Sequence, residues 1–189
     1  MYTADHERIA SLAAKKHRFL EVLLSRYLIL AALAGVYVGF GIALIFSLGG
    51  PLATSGSPML KLVMGVSFGI ALTLVIFAGS ELFTGNNMTG VIGGLSRSLT
   101  WGQVVQLNVW SWFGNLVGSL ALAWLVVQSG VLSKGPQADL IGNVAAMKMS
   151  LPAWELFLRG LLCNWLVCLA VWTSGRTTND AAKIMLIFW

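Results

Sequence analysis

Uncharged apolar runs, separated by short polar stretches, dominate this chain. The first, 27–48, is long enough to cross about 30 Å of hydrocarbon as a helix. It contains Gly35, Gly39 and Gly41, and small residues at helical spacing let a neighbouring helix approach closely. Gly49, Gly50, Pro51 and the Ser/Gly stretch to Pro58 read as a short turn. A second span, 59–83, carries Glu81 near its end and runs into Thr84, Gly85, Asn86 and Asn87, then Gly90, Gly93 and Gly94. A helix that meets such residues at membrane depth breaks there. Irregular backbone survives in a membrane only where protein or a watery cavity shelters it. A broken loop is therefore expected over 84–94, with Trp101 as an interface anchor beyond it. The third span, 104–128, holds Trp110, Trp112, Gly114, Asn115 and Gly118. A polar loop with Lys134, Pro136 and Asp139 leads to the fourth, 152–173, which holds Asn164. The last run, 181–189, is apolar but too short to span, so the chain reads as truncated after the start of a fifth helix. The fold class is an all-α membrane protein, with a leader at 1–26 and a transmembrane domain over 27–189.

The leader is different. Ile9, Leu12, Ala13, Phe19, Leu20 and Leu23 recur at helical spacing among Asp5, Glu7, Arg8, Lys15, Lys16, Arg18, Glu21 and Arg26. That pattern predicts an amphipathic helix lying along the membrane surface; a plain solvated leader is the alternative. It lacks the short apolar core and cleavage site of a signal peptide.

Composition sharpens the picture. Hydrophobic residues make up 57% and charged residues 10%, where a soluble domain carries about 25% charged. Such a chain cannot cover a water-facing surface. The net charge of +5 does not indicate nucleic acid, because the basic residues fall between apolar runs rather than on one face. Arg8, Lys15, Lys16, Arg18 and Arg26 precede the first span, which predicts a cytoplasmic N-terminus. Arg97, Arg176 and Lys183 then fall on the same side. Cys163 and Cys168 read as small packing residues, since their spacing on one helix points them apart.

No catalytic constellation is visible: His6 and His17 both lie in the leader, and no carboxylates pair in an apolar context. No enzyme activity, metal site or cofactor is expected. Polar groups at membrane depth are the functional candidates, because they are costly there. Glu81 either faces a vestibule or caps the broken backbone, and the free N–H groups of a helix break favour the second. Thr84 either bonds a passing anion or a nearby carbonyl. Asn164 bonds a neighbouring helix or faces a pore. Lys148 snorkels to the interface or draws anions inward; its neighbours favour snorkelling.

The same residues carry a resemblance. Ala78-Gly79-Ser80-Glu81-Leu82-Phe83-Thr84-Gly85 is similar to the first signature of the formate/nitrite transporter family. The stretch Gly160-Leu161-Leu162-Cys163-Asn164-Trp165-Leu166-Val167-Cys168-Leu169-Ala170-Val171-Trp172 resembles the second. Trp112-Phe113-Gly114-Asn115-Leu116-Val117-Gly118 also matches between them, and both signatures are worded closest to the nitrite-channel branch. The resemblance covers nearly the whole chain. It implies an aquaporin-like bundle of six spans in an inverted repeat, with a broken second helix, assembled as a homopentamer in the bacterial inner membrane with a pore in each protomer. It implies that Thr84 reaches into the pore and that Lys148 and Asn164 flank its central site. Phe68, Leu72 and Leu82 would be apolar constrictions, with Glu81 and Gly85 supporting the broken helix. The family's pore histidine would fall beyond Trp189. The substrate implied is a small monovalent anion, nitrite or alternatively formate. A non-conducting scaffold fragment is the rival from another class. A water or glycerol facilitator is disfavoured because paired Asn-Pro-Ala loops are missing.

Overall fold

The computed structural model describes residues 3–188. The first two positions of the leader and the last of the run 181–189 lie outside the described residues. The elements are helices: α1 (Thr3–Val22), α2 (Leu24–Thr54), α3 (Leu60–Leu74), α4 (Phe83–Leu95), α5 (Trp101–Ser129), α6 (Gly135–Met149), α7 (Ala153–Ser174) and α8 (Asp180–Phe188). A π-helical turn, Val75–Gly79, extends α3. Among the described residues, four helical stretches are long and apolar enough to cross a membrane: Leu24–Thr54, Leu60–Gly79, Trp101–Ser129 and Ala153–Ser174. Large apolar side chains such as Val105, Val109, Trp112, Leu120 and Trp124 stand exposed along α5. Facing water they would form a patch too large for a soluble monomer; facing lipid they meet their like.

The bundle is organised around α2 and α5. A Cβ at Gly118 would lie 1.8 Å from the Ala32 carbonyl oxygen, and one at Gly35 only 2.1 Å from the Asn115 carbonyl oxygen. At Gly114 it would be 2.4 Å from the Ala31 Cβ. The two backbones therefore touch, which only residues without side chains permit. The start of α5 is fixed by a capping box, Thr100 Oγ1 accepting from Gln103 N while Gln103 Oε1 accepts from Thr100 N. Its end is set by Gly130 in the left-handed conformation, φ 74°.

Several boundaries differ from those the sequence predicts. The turn expected at Gly49–Pro58 does not begin until Ser55, because α2 continues through Pro51 to Thr54. Gly49 lies against Met64 and Leu140, and Gly50 against Gln137, so these glycines serve packing rather than a turn. The polar loop before the fourth span is largely a helix, α6, which packs on α2 through those contacts. The segment 84–94 is not a loop either. It belongs to α4, whose glycines are close-packing positions: a Cβ at Gly93 would meet Ala13 at 2.7 Å, and one at Gly90 would meet Val104 at 3.2 Å. The break lies earlier, at residues 80–82.

The leader is helical over Thr3–Val22, and its apolar face turns to protein. Ile9, Ala10, Ala13, His17 and Leu20 are buried. Ala13 packs with Leu99 and Val104, and Leu20 with Tyr27, Ala31 and Leu107. Ser98 Oγ donates to Ala10 O at 3.1 Å, and His17 Nε2 lies 3.0 Å from Gln106 Oε1. Asp5 pairs with Arg176 at 3.2 Å, beyond the end of α7. The helix thus straps the α4–α5 turn to the end of α7.

Gly118→Val is expected to cost about 3 kcal/mol or more, because the backbone contact leaves no room for overpacking to relax. Gly142→Ala, with nothing within 4 Å of the added Cβ, is expected to be neutral or to gain up to about 1 kcal/mol. Thermal unfolding of the two variants in detergent checks this; equal midpoints would contradict it.

Candidate functional site

The break begins where Gly79 adopts φ 78°, a value that suits glycine. Ser80 (φ −161°, ψ 170°) and Leu82 (φ −87°, ψ 126°) are extended, and α4 starts at Phe83. Three residues outside the helices, 80–82, leave main-chain groups that lipid cannot satisfy. The neighbouring helices satisfy them. Glu81 N donates to Leu30 O at 3.2 Å. Asn115 Nδ2 donates to Glu81 O at 2.8 Å, and Asn115 Oδ1 accepts from Phe83 N at 2.9 Å.

The Glu81 carboxylate was expected to cap this backbone. It does something else. Glu81 is buried, and its Oε2 accepts from Lys16 Nζ at 2.6 Å and from Asn86 Nδ2 at 3.1 Å. Lys16 Nζ also donates to Asn86 Oδ1 at 2.9 Å, Asn86 Nδ2 to Tyr27 Oη at 3.1 Å, and Tyr27 Oη to Leu107 O at 3.4 Å. A buried carboxylate is tolerated when paired and hydrogen-bonded. Here the cation comes from α1 and the amide from α4. The sequence pattern assigns Lys16 only to the leader's charge and Asn86 only to the helix break, and neither to a site. The one signal was position: Lys16 lies between Ala13 and Leu20, on the leader's apolar side.

Above this network, α4 faces α7. Thr84, in the first turn of α4, offers its carbonyl to Cys168 Sγ at 3.4 Å. Asn164 Nδ2 lies 3.5 Å from the same sulfur, and Asn164 Oδ1 accepts from Asn87 Nδ2 at 3.1 Å. The structure therefore brings Thr84 and Asn164 together through Cys168, and both meanings of Asn164, helix contact and polar lining, are compatible with its half-buried position. Thr84 Oγ1 is shut from solvent and has no hydrogen-bond partner among the described residues. An unpartnered buried hydroxyl is costly, so Thr84 retains an unused donor and acceptor at this level. Asn87 and Cys168 complete the lacing.

Two cavities lie along α3 and α7. One, of about 300 Å³, is lined by Phe68, Leu72, Leu166, Ala170 and Thr173. The other, of about 260 Å³, is lined by Leu82, Gly85, Lys16, Asn86 and Val171. Phe68 and Leu72 thus line one chamber and Leu82 the other. Gly85 faces α7, where a Cβ would lie 3.9 Å from Val171 Cγ2. Lys148 is not drawn into this group: it is exposed in the last turn of α6 and makes no ion pair among the described residues.

Comparison with known proteins agrees with this architecture. The family model described as formate/nitrite transporter matches residues 3–189. The nitrite transporter NirC of Escherichia coli (strain K12) is 44% identical over 189 residues, 100% of this chain and 69% of that protein. The formate channel FocA of the same strain is 37% identical over 166 residues, covering 84% of this chain and 56% of its own. A solved FNT family ion channel superposes with a TM-score of 0.92 at 42% identity, covering 99% of this chain and 74% of that one. A pentameric formate channel with formate bound shares the fold, with a TM-score of 0.71 over 87% of this chain and 65% of its own. With the family matched over nearly its full length and four apolar helices packed as in a solved member, the chain belongs to the formate/nitrite transporter family of multi-pass membrane proteins.

Proposed function

We propose that this protein conducts small monovalent anions, nitrite foremost, across the bacterial inner membrane. The observation that carries the reading is the Thr84 hydroxyl, buried and unpartnered on the first turn after the break. Nitrite is favoured over formate because the nitrite transporter relative is 44% identical and the formate channel 37%.

The physical account is one of desolvation and replacement. Lys148 draws the anion toward the entrance. Phe68, Leu72 and Leu82 act as apolar collars, where a bare charge loses several kcal/mol of hydration. Thr84 and Asn164 replace part of the lost water hydrogen bonds, and protonation to the neutral weak acid removes most of the remaining penalty. Collars with few anion-specific groups select by size and charge.

Orientation rests on charge. Lys16 and Arg176 are tied to the same end of the bundle through α1, and Arg8, Lys15, Arg18 and Arg97 lie on α1 or at the α4–α5 turn beside it. By the positive-inside rule that end is cytoplasmic, which puts the N-terminus inside. A homopentamer is proposed by analogy with the solved channel described as pentameric.

The test is nitrite and formate uptake into proteoliposomes containing the full-length protein. Uptake of neither anion would end the proposal. Thr84→Val, which keeps shape and removes the hydroxyl, is expected to slow nitrite uptake about tenfold, the scale of one hydrogen bond to a charged group. Lys148→Ala is expected to weaken uptake while leaving assembly intact; wild-type flux in that variant would remove Lys148 from the pathway.

A further inference from the structure

Asn115 of α5 makes three hydrogen bonds to main chain distant in sequence. Its Nδ2 donates to Ala31 O and to Glu81 O, both at 2.8 Å, and its Oδ1 accepts from Phe83 N at 2.9 Å. Leu82 stands between Glu81 and Phe83, in extended conformation. One side chain therefore brackets the backbone of Leu82 on both sides. Its root is a backbone contact between α2 and α5: a Cβ at Gly35 would lie 2.1 Å from the carbonyl oxygen of Asn115 itself. Ala31, the third partner, is one turn before Gly35 on α2.

We infer that Asn115 is a positioning residue that sets anion selectivity. It fixes how far the Leu82 side chain reaches into the chamber it lines, and where α4 begins, one residue before the Thr84 hydroxyl is presented. This inference rests on Leu82 acting as a collar, as proposed above. The chemistry suits the amide and little else. Two N–H donors and one acceptor in a short planar group match two carbonyls and one amide N–H. Aspartate keeps the acceptor for Phe83 and loses both donated bonds; alanine loses all three. An unheld segment in hydrocarbon seeks other partners, and the aperture at Leu82 widens or shifts with it.

The experiment measures acetate and nitrite uptake by the full-length protein in proteoliposomes, for wild type, Leu82→Ala, Asn115→Ala and Asn115→Asp. The readout is the acetate-to-nitrite flux ratio, which the amount of correctly folded protein does not change. Expected is a rise of about fivefold or more in Leu82→Ala and in Asn115→Ala, with a rise also in Asn115→Asp, the effect of losing one net hydrogen bond or more at the collar. A raised ratio in Leu82→Ala with an unchanged ratio in both Asn115 variants would overturn the inference and leave the collar standing. An unchanged ratio in Leu82→Ala would overturn the collar itself, and the inference with it. If Asn115→Ala does not assemble, Asn115→Asp decides alone. Failure of both to assemble would assign Asn115 to the fold and overturn the role in selectivity.

Discussion

At Gly118 a single methyl group would lie 1.8 Å from the carbonyl oxygen of Ala32, so α2 and α5 meet backbone to backbone. Much of the bundle follows from that approach. In hydrocarbon, helices gain little by hiding apolar surface from one another, and small residues that allow close packing become the main source of association. The close pair also places main-chain acceptors where the second span, broken after Gly79, needs them. Leu30 O and Ala31 O lie at the same level as Asn115, and the broken stretch at 80–82 is held to all three groups directly or through the amide. Separate α2 from α5 by the thickness of a valine side chain and the break loses its frame.

The second constraint is charge. A carboxylate taken out of water without a partner costs far more than a domain can spare. Glu81 is kept by Lys16 and Asn86, which also bond each other. Removing one member of such a buried pair typically costs about 3–5 kcal/mol, much of it from the charge left behind. The consequence is architectural. The leader helix is fastened to the break by its own lysine, and its apolar face is buried against α4 and α5. It is part of the bundle rather than a separate surface helix.

Beside these two supports lie the two cavities and a small polar cluster where α4 meets α7. Phe68 and Leu72 line one chamber and Leu82 the other. Between α4 and α7, Asn87, Asn164, Cys168 and the Thr84 carbonyl satisfy one another, leaving the Thr84 hydroxyl unpaired.

The sequence by itself determined the solvent and the family. Long runs without charge admit only lipid-facing helices, and two long signatures in order name the fold. It also marked Thr84, Asn164 and Glu81, because polar groups at membrane depth and glycine-rich breaks stand out against an apolar background; Phe68, Leu72 and Leu82, apolar among apolar residues, were marked by the family resemblance alone. It misplaced the break, reading 84–94 as loop, because glycine signals a turn and a close helix contact in the same way; only neighbours such as Ala13, Leu99 and Val104 decide between them. It read α6 as loop because few apolar positions show a period there. It could not see Lys16 as the partner of Glu81, 65 residues away, or Asn115 as the bracket of Leu82. Pairings across such separations depend on which helices touch, and that was decided by the close approach of α2 and α5 in the folded bundle.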